Sequence, residues 1–320
     1  MKTKQTFVCG FLTVVLALAF TALSLTGCPN GDDNNGGKTD NGGVTKTDLI
    51  LEMVNVAGGT FTMGSSDNQD LNAGPPHQVT LTQGFYIGKH EVTQKEYETV
   101  MGSLPGDLTG NTYGKGDSYP VYYVSWYDAI VFCNKLSMLE GLTPAYSISG
   151  KTDPAEWGTV PTISDATWNS VIIVANTNGY RLPTEAQWEY ACRAGTTTAW
   201  HSGNTDDNLG DYYAWYSGNN GSSGDPTYGT KPVGTKAANA FGLYDMHGNV
   251  WEWCWDWYES YANPAQAQTD PVGASSGSRR VGRGGSWGNP AQYARSAIRA
   301  VAYPNYRVIS LGFRVVRPAQ

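Results

Sequence analysis

The sequence predicts an α+β protein with little regular secondary structure, in which about three helices and a set of short antiparallel strands are joined by long irregular segments. Three observations carry this expectation. Three capping boxes announce helices, and several short stretches of alternating apolar and polar residues announce strands. The segments 102–120, 147–178 and 201–240 are rich in Gly, Asn and Ser and too long to be simple turns.

The N-terminus comes first. Met1-Lys2-Thr3-Lys4 is basic, and Phe7 to Leu25 is an almost uninterrupted apolar run of the kind a secretory signal needs. The run closes in Leu25-Thr26-Gly27-Cys28, which resembles the bacterial lipobox. That resemblance implies cleavage before Cys28 and lipidation of the new N-terminal cysteine, so residues 1–27 read as a signal peptide. Residues 28–46 are dominated by Asn, Asp and Gly and cannot bury enough surface to order themselves. They read as the lipidated N-terminus and a flexible tether of about 25 Å reach. Residues 47–320 contain no comparable break and read as one domain.

Within that domain Thr93 with Glu96, Ser125 with Asp128 and Thr184 with Gln187 each place a hydroxyl three residues ahead of an acid or amide. Ile130, Cys133, Leu136 and Met138 form the apolar stripe of the second helix, and Trp188, Ala191 and Cys192 that of the third. Gly195 is positioned to stop the third helix in a left-handed conformation. "GTFTMGS", "HQVTLTQGFYIGKHEV", "RRVGRGGSW" and "LGFRVVR" read as strands.

A net charge of −7 with no basic tract argues against nucleic acid as a partner. After removal of Cys9 and use of Cys28, the thiols left are Cys133, Cys192 and Cys254, whose spacing matches no zinc pattern. They read as buried small hydrophobes. No nucleophile elbow, Walker loop or dinucleotide fingerprint occurs.

Seven segments occur in an order that resembles one known family: "GGTFTMGS" (58–65), "GFYIGKHEVTQKEYETVM" (84–101), "PVYYVSWYDAIVFCNKLS" (120–137), "RLPTEAQWEYACRAG" (181–195), "FGLYDMHGNVWEWCWDWY" (241–258), "RGGSW" (283–287) and "GFRVV" (312–316). The family is that of the formylglycine-generating enzyme, or sulfatase-modifying factor. The resemblance covers nearly all of 51–317 and implies a C-type-lectin-like fold with an aromatic core. It also implies a structural calcium site in "YDMHGNVWE", with side-chain oxygens from Asp245 and Glu252 and main-chain carbonyls from Gly248 and Val250. Calcium, a hard cation, suits such an all-oxygen set. A second family calcium site finds no clear counterpart near Tyr213-Ala214-Trp215.

The oxidase members of the family hold copper between two cysteines shortly after the "GGS" strand, since thiolates suit Cu(I). Here the sequence is cysteine-free after Cys254, and "GGSWGNPAQYARSAIRA" offers Asn289, Gln292 and Tyr293 instead. Another branch binds iron through histidines; the domain has only His77, His90, His201 and His247, scattered along the chain. Neither copper nor iron is expected, and the protein reads as a non-catalytic member.

Residues 288–310 obey no helix or strand period. Arg295, Arg299, Arg307 and Arg314 match an arginine skeleton of the family, with Tyr293, Tyr303 and Tyr306 set around it. The arrangement resembles the variable proteins of diversity-generating retroelements, in which randomised adenines cannot turn an asparagine codon into Lys, Glu, Gln, Met or Trp. Of these five, only Gln292 occurs between Gly288 and Ser310. The implied ligand contacts are Asn289, Gln292, Tyr293, Ile298, Tyr303, Asn305 and Tyr306, with Trp287 as a fixed neighbour. Tyrosine suits such a face because it gives stiff, amphipathic area at low entropic cost. The expected function is binding of a protein or glycan ligand outside the cell, by a lipoprotein anchored to a bacterial membrane and displayed on the cell surface. The alternatives are a metal-dependent oxidase and a structural lipoprotein of an envelope complex.

Overall fold

"WEWCWDW", which the sequence analysis assigned only to the end of a cation loop, forms the central strand of the fold. Tryptophan recurs at every second position, at 251, 253, 255 and 257, which is strand periodicity. A computed structural model describes residues 51–67, 72–109, 113–206, 209–262 and 265–319, and these fall within one compact unit. The signal run, Cys28 and the tether lie outside the described residues. Among the described residues no helix is long and apolar enough to cross a membrane.

In chain order the first elements are β1 Met53–Val56, β2 Gly59–Met63, β3 His77–Leu81, β4 Phe85–Gly88, α1 Gln94–Met101, α2 Gly106–Thr109, α3 Trp126–Leu139 and β5 Tyr146–Ser147. There follow α4 Ala166–Asn169, β6 Ile172–Ile173, α5 Glu185–Arg193, β7 Trp251–Trp257 and β8 Gln268–Thr269. The chain then runs through β9 Arg280–Arg283, β10 Ala300–Ala302, β11 Leu311–Gly312 and β12 Val316–Pro318. The sheet orders are β10-β9-β7-β11, β1-β4-β12, β2-β3-β8 and β5-β6. Most pairs are antiparallel as expected, but β11 runs parallel to β7 and β8 parallel to β3. Both parallel partners return after a long stretch of chain that carries other elements, and a parallel pair requires such a crossover.

The three capping boxes form as read. Thr93, Ser125 and Thr184 each accept from the amide three residues on, while Glu96, Asp128 and Gln187 reach back to the cap amide. Two details differ from the sequence reading. Met138 is 44% exposed, because the last turn of α3 leaves the core. The left-handed stop of α5 begins at Ala194 (φ 46°), one residue before Gly195. "LGFRVVR" is two strands, β11 on β7 and β12 on β4, because the chain changes sheet while burying Phe313 and Arg314.

Strand β7 is buried on both faces. Trp253 donates from Nε1 to the Val124 carbonyl (3.0 Å), while Trp255 stacks on Tyr146 with ring centroids 5.3 Å apart, on the side of α3. On the other face Glu252, Cys254 and Asp256 turn towards α5, where Asp256 accepts from the amide of Glu185 (2.7 Å). Carboxylates placed there need counter-charges, and arginines from the last third of the chain supply them. Arg314 donates from Nε and Nη2 to the two oxygens of Glu252 (2.6 and 2.7 Å), and Trp188 Nε1 donates to the same carboxylate (2.7 Å). Arg299 grips Glu185 in the same two-pronged way (2.6 and 2.7 Å), Arg283 pairs with Glu189, and Arg307 pairs with Asp128 (2.8 Å). Arg280 is held differently, between the rings of Trp126 and Trp257 at 3.7 and 3.4 Å.

Removing one member of a buried ion pair leaves the other charge uncompensated, which costs about 3–5 kcal/mol. Arg314→Leu is therefore expected to lose that much stability in urea unfolding. Joining it to Glu252→Leu should restore most of the loss, and a single variant within about 0.5 kcal/mol of the parent would contradict this account of the frame.

Candidate ligand-binding face

The irregular C-terminal segment is pinned at its turns. A Cβ added to Gly285 (φ 77°) would lie 2.8 Å from the Tyr293 carbonyl oxygen, so the chain can double back there only on glycine. Trp287 is 3% exposed and donates from Nε1 to the Ile309 carbonyl (3.2 Å), with its ring stacked on Tyr113 (5.4 Å). Further on, the Tyr123 and Trp126 amides donate to the Val308 and Pro304 carbonyls (both 3.0 Å). The arginines of the segment close inward. Arg299 and Arg307 make the ion pairs described above, and Arg295 pairs with Asp67 (2.9 Å).

The tyrosines do the opposite. Tyr293, Tyr303 and Tyr306 are 41%, 37% and 47% exposed, and Gln292 is exposed as well. Tyr303 and Tyr306 lie with ring centroids 5.2 Å apart, and Arg279 approaches the Tyr303 ring at 5.5 Å. Gln292 lines a cavity of about 610 Å³ together with Trp200, Thr205, Tyr216 and Arg295. Asn305 is half-buried and donates from Nδ2 to the Thr162 carbonyl (3.0 Å), which ties the tyrosine pair to the loop carrying the 73%-exposed Ile163.

Two residues expected as contacts are structural. Ile298 is buried in the interior, and the backbone there serves Arg283, whose Nη1 donates to the Ile298 carbonyl (2.5 Å). Asn289 uses its side-chain oxygen to accept from Trp251 Nε1 (2.8 Å) and Ser286 Oγ (2.6 Å), so it fastens the segment to β7. Trp287 is a fixed neighbour, buried beneath the segment, as its ring size suggests.

The expected calcium residues lie close together but are not equivalent. Glu252 has both oxygens taken by Arg314 and Trp188, so a guanidinium occupies the place a dication would take; its assignment as a ligand is corrected to an ion-pair partner. Asp245 (φ 56°) accepts from the Gly234 amide with Oδ2 (2.7 Å), whereas its Oδ1 is buried with no partner. Glu91, fully buried, accepts from the Val250 amide and Asn249 Nδ2 (both 3.2 Å). The Gly248 amide donates to the Gly284 carbonyl (2.8 Å), joining this turn to the start of the C-terminal segment. Three buried acids thus share the neighbourhood of one arginine, and of their oxygens only Asp245 Oδ1 is buried without a partner.

Folding gathers two histidines that are far apart in the chain. His201 and His247 stack with centroids 4.7 Å apart, and the Cys192 sulfur sits 3.8 Å from His247 Nε2. The His247 Nδ1–H donates to the Ala294 carbonyl (2.6 Å), and Nε2 accepts from the His201 amide (3.3 Å). Both ring nitrogens of His201 are buried without partners. Among the described residues no group of three or more His, Cys, Asp or Glu is disposed to hold a metal. Cys133, Cys192 and Cys254 are free and buried, and burial raises each thiol, that of Cys192 to about 12.

Residues 41–319 match the sulfatase-modifying factor enzyme 1-like domain, and the chain belongs to that family. It is 37% identical over 285 residues to the chaperone protein LppX of Paenibacillus barcinonensis, covering 85% of this chain and 91% of that one. It is 32% identical over 295 residues to the formylglycine-generating enzyme of Mus musculus, covering 83% of this chain and 74% of the relative. Among solved structures, Treponema denticola variable protein 1 superposes with a TM-score of 0.74 at 36% identity, over 83% of this chain and 95% of that one. PvdO from Pseudomonas aeruginosa superposes with a TM-score of 0.62 at 28% identity, over 83% and 94%. The fold is thus the C-type-lectin-like, formylglycine-generating-enzyme type implied by the motifs. An enzyme, a chaperone and a variable protein all stand among these relatives, so membership alone does not assign chemistry.

Desolvation lowers His201 to about 4, so the folded protein favours its neutral ring. The stability this contributes is present above about pH 6.5, the ordinary histidine value, and is lost as pH falls towards 4. The urea midpoint is expected to fall between pH 6.5 and pH 4.5. In His201→Phe, which keeps the stack on His247 and Tyr213, that slope should flatten; an equal slope would show that other groups set it.

Proposed function

We propose that this is a non-catalytic binding protein, held outside the cell by lipid at Cys28, that takes a protein or glycan ligand on the face formed by Gln292, Tyr293, Tyr303 and Tyr306. The observation that carries the reading is the division of labour in 288–310. Every arginine of the segment is ion-paired inward, while the tyrosines beside them are exposed. Such a face can change without disturbing the frame, which suits the resemblance to diversified proteins and the likeness to a protein named as variable. Similarity to a protein named as a chaperone favours a protein partner over a glycan.

Oxidase chemistry of the copper type has no donors here. The chain carries no sulfur after Met246 and Cys254, and its described thiols are sealed in the core, far up the thiol range. Incubation with copper and a cysteine-bearing peptide is accordingly expected to leave the peptide unchanged. The triple substitution of Tyr293, Tyr303 and Tyr306 to Ala should abolish saturable binding on a protein and glycan array and leave Tm within about 5 °C, since surface changes cost about 0.5 kcal/mol or less each. A collapse of Tm would make these tyrosines part of the core and end the reading.

The same proposal keeps a calcium ion, held by Asp245 with main-chain oxygens of Gly248 and Val250 and without Glu252. Support comes from the partnerless Asp245 Oδ1 among an excess of buried acids. A ligand bound only by the folded state raises its stability, so EGTA should lower Tm by several degrees. Asp245→Asn, which tolerates the positive φ, should lower it equally and abolish the EGTA response. An unchanged Tm in EGTA would remove calcium from the account.

A further inference from the structure

Residues 219–229, "NNGSSGDPTYG", carry one bulky apolar side chain, Tyr228, and form no helix or strand. A loop of this composition has little apolar surface with which to order itself. Both of its ends are nevertheless held by a single side chain. The ammonium of Lys231 donates to the Asn220 side-chain oxygen, to the Thr227 carbonyl (2.6 Å) and to the Gly229 carbonyl (2.8 Å). Three acceptors thus meet the three donors that a lysine head possesses.

The base of that side chain is fixed separately. The Lys231 amide donates to Asn249 Oδ1 (3.0 Å), and its carbonyl accepts from Asn249 Nδ2 (3.2 Å). Lys231 is half-buried, with its ammonium 5.4 Å from the centroid of the Trp215 ring. Burial lowers its pKa from the lysine value, against the pull of Asp225, as expected of an ion drawn partly out of water. Amide and peptide oxygens of an irregular loop that converge on one positive charge are the means by which proteins hold small cations. Here the cation belongs to the chain.

The loop so gathered forms the wall beside Trp287. Asn220 Nδ2 donates to the Trp287 carbonyl (3.2 Å), and the Tyr228 ring meets that of Trp287 edge-on, with centroids 4.9 Å apart. The Thr230 amide donates to the Tyr113 carbonyl (3.0 Å), and Tyr113 stacks on the same tryptophan.

We propose that Asn220, Thr227 and Gly229 form a cation site whose resident ion is the Lys231 ammonium, and that the emptied site takes a free primary alkylammonium in its place. The three N–H donors set the specificity, since the acceptors are fixed at three points around one head group.

The test is chemical rescue in the full-length protein. Lys231→Ala should lower Tm by about 4 °C or more and speed hydrogen exchange at the Tyr228 and Thr230 amides at least about 10-fold. The fragment removed, n-propylammonium, should restore both in a saturable way, with half of the effect at or below about 50 mM. Neither 1-propanol, which lacks the charge, nor tetramethylammonium, which lacks the N–H donors, should do so. Lys231→Met fills the space without a charge and should stay unrescued. In the parent, acetic anhydride should label Lys231 at least about 10-fold more slowly than the exposed Lys95, read by mass spectrometry. Unchanged Tm and exchange in Lys231→Ala, rescue no better with n-propylammonium than with tetramethylammonium, or equal rescue of Lys231→Met would each overturn the proposal. So would equal labelling of Lys231 and Lys95 in the parent, a result readable even if neither variant folds.

Discussion

Buried arginine–carboxylate pairs are the constraint on which the rest of this structure depends. A chain so poor in regular secondary structure has few ladders of backbone hydrogen bonds to set the course of its loops. Here Arg283, Arg299, Arg307 and Arg314 set it, each reaching an acid on α3, α5 or β7. The planar fork of the guanidinium matches a carboxylate in two directions at once, so the Arg299, Arg307 and Arg314 pairs fix orientation as well as distance. A lysine in these positions would keep the charge and lose the geometry. Around the pairs, the tryptophans of β7 divide the interior into an α3 side and an α5 side, and the acids of β7 and α5 stand on the second.

The helices were legible in the sequence because their signal is local: a hydroxyl and an acid or amide three residues apart meet whatever the rest of the chain does. Strand β7 was equally legible in its period-two tryptophans, yet the polar residues between them drew attention to cation chemistry and hid it. What could not be read is long-range pairing. Glu252 follows a glycine-rich turn and looks like a metal ligand until Arg314, 62 residues away, is seen to take both its oxygens. Ile298 and Asn289 lie in the right segment for ligand contact, but burial of a side chain in an aperiodic stretch depends on what folds over it. The exposure of Tyr293, Tyr303 and Tyr306 was anticipated from the opposite consideration, since an arginine skeleton that turns inward leaves its neighbours outside.

The stacked histidines were harder to read. Cys192 and His247 lie in segments that carry the family resemblance, but nothing in those segments tells that His201, from an irregular stretch, folds against them. The informative sign is structural: both ring nitrogens of His201 are buried and have nothing to bind.

The order of charges along the chain has a consequence for biosynthesis. The acids Asp128, Glu185, Glu189 and Glu252 are all made before Arg283, Arg299, Arg307 and Arg314. Until the last of these emerges, the nascent interior holds carboxylates it cannot bury without a large penalty. A chain cut short before Arg314 would leave Glu252 without its counter-charge, so closure of the interior is expected to wait for the final stretch.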